Sequence, residues 1–111
     1  MGVRRDKARA ITRYLSGHSA IPTLYLDPDN TIISGPPPYG FRLSTDRNSV
    51  RFFHYIKEAP RGGINPVIRY DGEIPELEDA IVGIRLSEFV QLIAAHYKSI
   101  EDRVQTHIEG A

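Results

Sequence analysis

The chain of 111 residues has no cysteine and no tryptophan, and its 14 Lys and Arg are matched by 14 Asp and Glu. The missing cysteine excludes disulfides, cysteine-ligated zinc and thiol nucleophiles. No apolar run approaches the roughly 20 residues of a membrane-spanning helix. The opening stretch, MGVRRDKARAITRYL, carries cations but not the apolar block of a signal peptide. Position six is Asp6, where a myristoylation signal has Ser or Thr. A cytoplasmic protein with no membrane contact is therefore expected. A single domain over residues 1–111 is long enough for a modest core without metal or cross-links.

Zero net charge argues against a nucleic-acid partner, but its distribution argues the other way. Residues 1–69 carry eleven cations and five acids and residues 70–111 three and nine, a split of +6 against −6. Such a chain either presents a basic and an acidic face or neutralises one half with the other across the fold. Arg outnumbers Lys eleven to three, and Arg both stacks on rings and forks onto phosphates.

Catalytic patterns are missing as well. There is no HExxH, no GxSxG and no P-loop. The histidines are His18, His54, His96 and His107, none in a metal-binding spacing, and a His18–His54 acid–base pair is the one arrangement available to an enzyme. The run DPDNT, starting at Asp27, resembles the start of a calcium loop but places Ile32 where that loop needs glycine. No enzymatic activity, cofactor or metal is expected.

The pattern of elements predicts an α+β fold: an N-terminal helix, a curved antiparallel sheet of about four strands, and a long C-terminal helix used for dimerisation. The first helix is expected over Val3–Leu15 with Gly17 as its stop, and places Arg5, Arg9 and Arg13 in one ridge. Thr23–Leu26 and Thr31–Ser34 read as a hairpin around Asp27-Pro-Asp-Asn30. Gly35-Pro-Pro-Pro-Tyr-Gly40 reads as a stiff, polyproline-like connector. Extended pieces follow at Phe41–Ser44, Ser49–Lys57, Pro66–Tyr70 and Ala80–Leu86, with turns at Thr45–Ser49 and Asp71-Gly72 and a loop or single helical turn at Glu73–Asp79. Ser87 is the expected N-cap of a helix over 88–108, whose stripe is Phe89, Ile93, Tyr97, Ile100, Val104 and Ile108. Val90, Ile93, Tyr97, Ile100 and Val104 also fit a short heptad seam, and a helix roughly 30 Å long outreaches a small sheet, so a twin helix from a second subunit is the expected partner.

The stretch SVRFFHYIK (49–57) carries the functional expectation. Read as a strand, it puts Val50, Phe52, His54 and Ile56 on one face and Arg51, Phe53, Tyr55 and Lys57 on the other. Which face is buried stays open, since both hold a phenylalanine and helices at either end of the chain could cover both. If the second face is exposed, Phe53 and Tyr55 stack bases while Arg42, Arg51, Lys57, Arg61 and Arg69 hold phosphates, with the Arg5/Arg9/Arg13 ridge extending the track. The expected function is then sequence-tolerant, non-catalytic binding of single-stranded DNA or RNA by a homodimer. The alternative is a protein–protein or regulatory module that works through the long helix and the GPPPYG loop. An exposed basic-aromatic face favours the first, and a buried one with an exposed apolar stripe on the last helix favours the second.

Gly83-Ile-Arg-Leu-Ser87, a strand running into a helix that continues as Ile100-Glu-Asp-Arg-Val104, resembles the end of the transcriptional-coactivator type of single-stranded DNA-binding domain. This covers roughly residues 50–104. The whole order, with its basic first helix, is more similar to the archaeal ThermoDBP-type proteins. Either resemblance implies single-strand binding through basic strands or a basic, aromatic-lined cleft, and dimerisation through the C-terminal helix. The chain departs from both in its neutral charge and its lack of Trp.

Overall fold

The computed structural model describes residues 2–45 and 47–109, with side chains over 4–45 and 47–104. Val3, Asp46 and Ile108, assigned above to the start of the first helix, a turn and the last helix's stripe, lie outside the described side chains. The fold is α+β: α1 (Gly2–His18), β1 (Tyr25–Leu26), β2 (Ile32–Ser34), β3 (Gly40–Ser44), α2 (Ser49–Glu58), β4 (Val67–Arg69), β5 (Ile81–Gly83) and α3 (Leu86–Glu109), with a 3-10 turn at Leu77–Asp79.

α1 forms where the sequence places a helix, but it runs through Gly17 to His18, and Ala20 rather than glycine takes the left-handed conformation, at φ 62°. Its inner side sets Ala8 and Ile11 against Ile33, Phe41, Leu43 and Ile68, and these six form the core. The hairpin is present as read. Asp27 organises its turn, accepting from the Thr31 N–H at 2.7 Å, the Thr31 hydroxyl at 2.9 Å and the Ile32 N–H at 2.9 Å.

The stretch 49–58 is a helix, not a strand. Asn48 caps it, its side chain accepting from the Arg51 N–H at 3.1 Å. Phe52, Ile56 and Ala59 recur at helical spacing; Phe52 is buried and the other two half-buried. The two-residue alternation that suggested a strand is a coincidence of the same residues. This helix also changes the sheet. The five strands lie in chain order, all antiparallel except β3 and β4, which run parallel with Arg42 opposite Val67 and Leu43 opposite Ile68. A parallel pair needs a crossover, and α2 supplies it. The expected antiparallel sheet of about four strands is therefore a mixed sheet of five.

Strand alternation separates the two helices onto opposite sheet faces. Phe41, Leu43 and Ile68 meet α1, while the row Ile32–Arg42–Val67–Gly83 turns to the α2 side. Gly83 admits α2 to the sheet. A Cβ built there would stand 2.4 Å from Ile56 Cδ1 and 2.8 Å from Phe52 Cζ. Gly83→Ala is expected to cost about 1–3 kcal/mol, because the phenyl ring cannot yield as the isoleucine tip can. Thermal unfolding checks this, and an unchanged Tm would contradict the packing.

The proline-rich stretch is not polyproline-like. The Pro37–Pro38 peptide bond is cis, Tyr39 N–H bonds the Pro36 carbonyl at 3.1 Å, and Ile64 N–H bonds the Pro38 carbonyl at 2.8 Å. The loop is thereby fastened to the body beside the 60–65 segment.

α3 leaves the body. The molecule measures 57 × 26 × 25 Å, and a 24-residue helix accounts for about 36 Å of length. The helix begins at Leu86, so Ser87 is inside it and does not cap it, and the Arg85 carbonyl accepts the first N–H groups, from Glu88 and Phe89. The preceding strand is correspondingly short, ending at Gly83 rather than Leu86.

Candidate interaction surfaces

The residues expected to bind single strands do not assemble into one face. On a helix, Arg51, Phe53, Tyr55 and Lys57 advance by about 200° per pair and spread around its circumference. Phe53 is 63% exposed and lies against Phe52, ring centroids 5.8 Å apart. Tyr55 is half-buried, and the Arg42 guanidinium covers its ring at 4.2 Å, so of the two rings only Phe53 keeps an exposed face. Arg69 is engaged structurally: it pairs with Asp71 at 2.8 Å and donates to Ser49 Oγ at 2.9 Å and the Arg47 carbonyl at 3.0 Å. Arg51 is exposed in the first turn of α2, Lys57 in its last, and Arg61 on the loop that follows.

Beside the Arg42–Tyr55 stack lies a cleft of about 310 Å³ between α2 and strands β2 and β3, walled by Ile32, Phe41, Glu58 and Asn65 among others. Arg42 Nε is buried there without a hydrogen-bond partner. On the other side of the sheet, Arg5, Arg9 and Arg13 stay exposed in their ridge and face the β1–β2 turn across a second cleft. The two basic sets belong to opposite sheet faces.

The two histidines that could serve an enzyme are also dispersed. His18 stacks on Tyr14 in α1, centroids 4.1 Å apart, while His54 contacts Glu58 at 2.8 Å on α2. Among the described residues no group of three His, Asp or Glu could hold a metal ion, and no helix is long and apolar enough to cross a membrane.

The long helix forms, and its expected seam is exposed. Val90, Ile93, Tyr97, Ile100 and Val104 are all exposed, Tyr97 by 64%, and Leu86 and Phe89 extend the stripe toward the root. Over its described side chains Glu88 alone is buried and Leu92 alone half-buried. Leu86 was missed because it was assigned to a strand, although it lies one heptad before Ile93.

What fixes the direction of this arm is a polar root. Glu88, 4% exposed, accepts from the Asn65 N–H through Oε1, and Arg85 approaches its Oε2 at 3.4 Å. Arg85 also donates to the carbonyls of Lys57 at 2.9 Å, Pro60 at 3.2 Å and Ala59, closing the C-terminal end of α2. One arginine therefore joins the end of α2, the 59–65 loop and the start of α3. Neither Arg85 nor Glu88 stands out in the sequence because, apart from their own i,i+3 contact, their partners are backbone groups more than twenty residues away.

No protein-family model matches the sequence, and no curated protein or solved structure matches the chain. Neither likeness drawn from the sequence gains support from these comparisons, and the second, which rests on the order of elements, counted as a strand the 49–57 segment that is a helix.

Proposed function

We propose that the protein is a non-catalytic assembly module, in which a small α+β body presents α3 for pairing with α3 of a second copy. One observation carries this reading: seven large apolar side chains, from Leu86 to Val104, line an arm that its own body leaves uncovered. A contiguous stripe of this kind is a contact surface or an aggregation hazard. A lone helix in water is also marginal without a packed face.

The stripe favours a second copy as its occupant because it is self-complementary. Leu86, Ile93 and Ile100 take one seam position of the heptad and Val90, Tyr97 and Val104 the other. In a parallel pair the flanking position of His96 meets Glu101 of the second copy, five residues further on, and no like charges face each other there. The polar root holds both arms at a set angle, which lowers the ordering cost of association. Tethering of the GPPPYG loop leaves α3 as the surface for this role. The reading is of a cytoplasmic protein.

Sedimentation velocity on the full chain tests it. The wild type is expected at twice 12.5 kDa. The double variant Ile93→Asp/Ile100→Asp should run at the single mass, its dissociation constant raised about a hundredfold or more. Near-UV circular dichroism of the body's tyrosines should be retained. A wild type that stays monomeric at high micromolar concentration overturns self-association.

A further inference from the structure

We infer that the cleft between the arginine ridge of α1 and the β1–β2 turn is a binding site for the sugar–phosphate backbone of a single nucleic-acid strand. Its volume is about 470 Å³, and Arg5, Arg9, Thr12 and Arg13 face Leu26, Pro28 and Asn30 across it. None of the three arginines has a hydrogen bond or ion pair among the described residues. This is unlike their neighbour Arg4, which donates to Thr45 Oγ1 at 3.3 Å.

The ridge is linear. Four-residue spacing sets successive guanidiniums about 6 Å apart along the helix axis, close to the step between neighbouring phosphates of an extended strand. Three like charges on one helix face repel one another and destabilise it slightly. A row of anions relieves that repulsion, and guanidinium forks onto phosphate oxygens. The opposite wall distinguishes a nucleic-acid strand from a bare polyphosphate. Leu26 and Pro28 offer apolar surface to a sugar and Asn30 a hydrogen-bonding amide, features that inorganic phosphate cannot use. The turn rises as a second wall, so the trough accepts one strand and not the convex surface of a duplex. The one acid in the wall, Asp27, points its carboxylate into its own turn, where Thr31 and Ile32 occupy both oxygens.

The experiment is fluorescence anisotropy of the full chain with labelled oligo-dT and oligo-U over a salt series, with unlabelled duplex and inorganic polyphosphate as competitors. Three engaged phosphates predict a log–log salt slope of about −2 for single strands. The triple variant Arg5→Gln/Arg9→Gln/Arg13→Gln should bind about tenfold more weakly or worse, and Lys57→Gln/Arg61→Gln about as well as the wild type. Pro28→Glu, which alters only the opposite wall, should also weaken binding, and guards against misfolding of the triple variant. Absence of binding at low salt, an unaltered affinity in both cleft variants, or equal competition by polyphosphate or duplex overturns the assignment. Every substitution lies outside α3 and binding is read whether or not the chain self-associates, so failure here is distinct from failure of α3 pairing.

Discussion

Replacing Asp71 by asparagine is expected to cost about 3 kcal/mol at neutral pH and far less near pH 2. Asp71 is 3% exposed, and its carboxylate accepts from the Glu73 N–H at 2.8 Å and from Arg69 Nε at 2.8 Å. The Glu73 N–H bond is the largest influence on its acidity. Burial opposes it, while Arg69, by hydrogen bond and by charge, and Lys7, by charge, add to it, and the result is a pKa below the ordinary aspartate value. A lowered folded-state pKa means that the stabilisation is complete above the unfolded value, about 3.9, and disappears as pH falls through the folded one. The wild type should therefore lose stability below about pH 4. The variant, already without the carboxylate, should lose less over that range. Asp27 acts in the same direction: burial raises its pKa, but bonds from Ile32 and Thr31 and the charge of Arg42 outweigh that. Urea unfolding of wild type and variant at pH 7 and pH 2.5 measures the gap, and a gap that does not narrow in acid contradicts the pair.

The loss should also be felt at a distance, because Arg69 reaches past Asp71 to Ser49 Oγ and the Arg47 carbonyl at the start of α2. An arginine chosen from the sequence as a phosphate holder is instead the tie between a strand and its crossover helix. The reason lies in the secondary structure of 49–58. Val50, Phe52, His54 and Ile56 alternate, and Phe52, Ile56 and Ala59 keep helical spacing, so periodicity alone admits both forms. Asn48 as a cap was the local signal that decides between them, and the parallel pairing of β3 with β4 was the tertiary one. The latter is a long-range fact that no window of the sequence displays. Misassigning this segment removed the crossover, turned the sheet antiparallel and gathered onto one face four side chains that a helix disperses.

Other parts were legible because their determinants are local. The Asp27–Asn30 turn is read from residues that bond their own backbone within five positions. The α1 ridge and the α3 stripe follow from helical repeat, and exposure did not have to be guessed to find them. The ends of these helices were less legible. Gly17 and Ser87 have the composition of a stop and a cap, yet α1 runs on to His18, three residues past Leu15, and α3 starts at Leu86, two before Glu88, so both residues lie inside their helices.

Substituting Glu88 by alanine should cost about 3 kcal/mol in stability, because it strips the half-buried Asn65 N–H of its acceptor and the half-buried Arg85 guanidinium of its counter-charge together. The carboxylate receives the Asn65 N–H and faces Arg85, and it stands in the first turn of α3, where a negative charge also favours the helix dipole. Arg85 keeps the carbonyls of α2 and the following loop, so the body should fold, while the join between body and arm loosens. Glu88→Gln retains an acceptor for Asn65 and loses only the charge, so it should cost about half as much. The two variants separate rigidity of the arm from its surface, since neither touches the apolar stripe. If α3 pairs with its twin from a fixed root, Glu88→Ala should weaken the dimer about tenfold with every seam residue intact, because each arm must then be ordered on association. Sedimentation over a concentration series, alongside urea unfolding, reads both effects. A dimer as tight as the wild type in Glu88→Ala would mean that the seam carries association alone and that the root serves only the stability of the body.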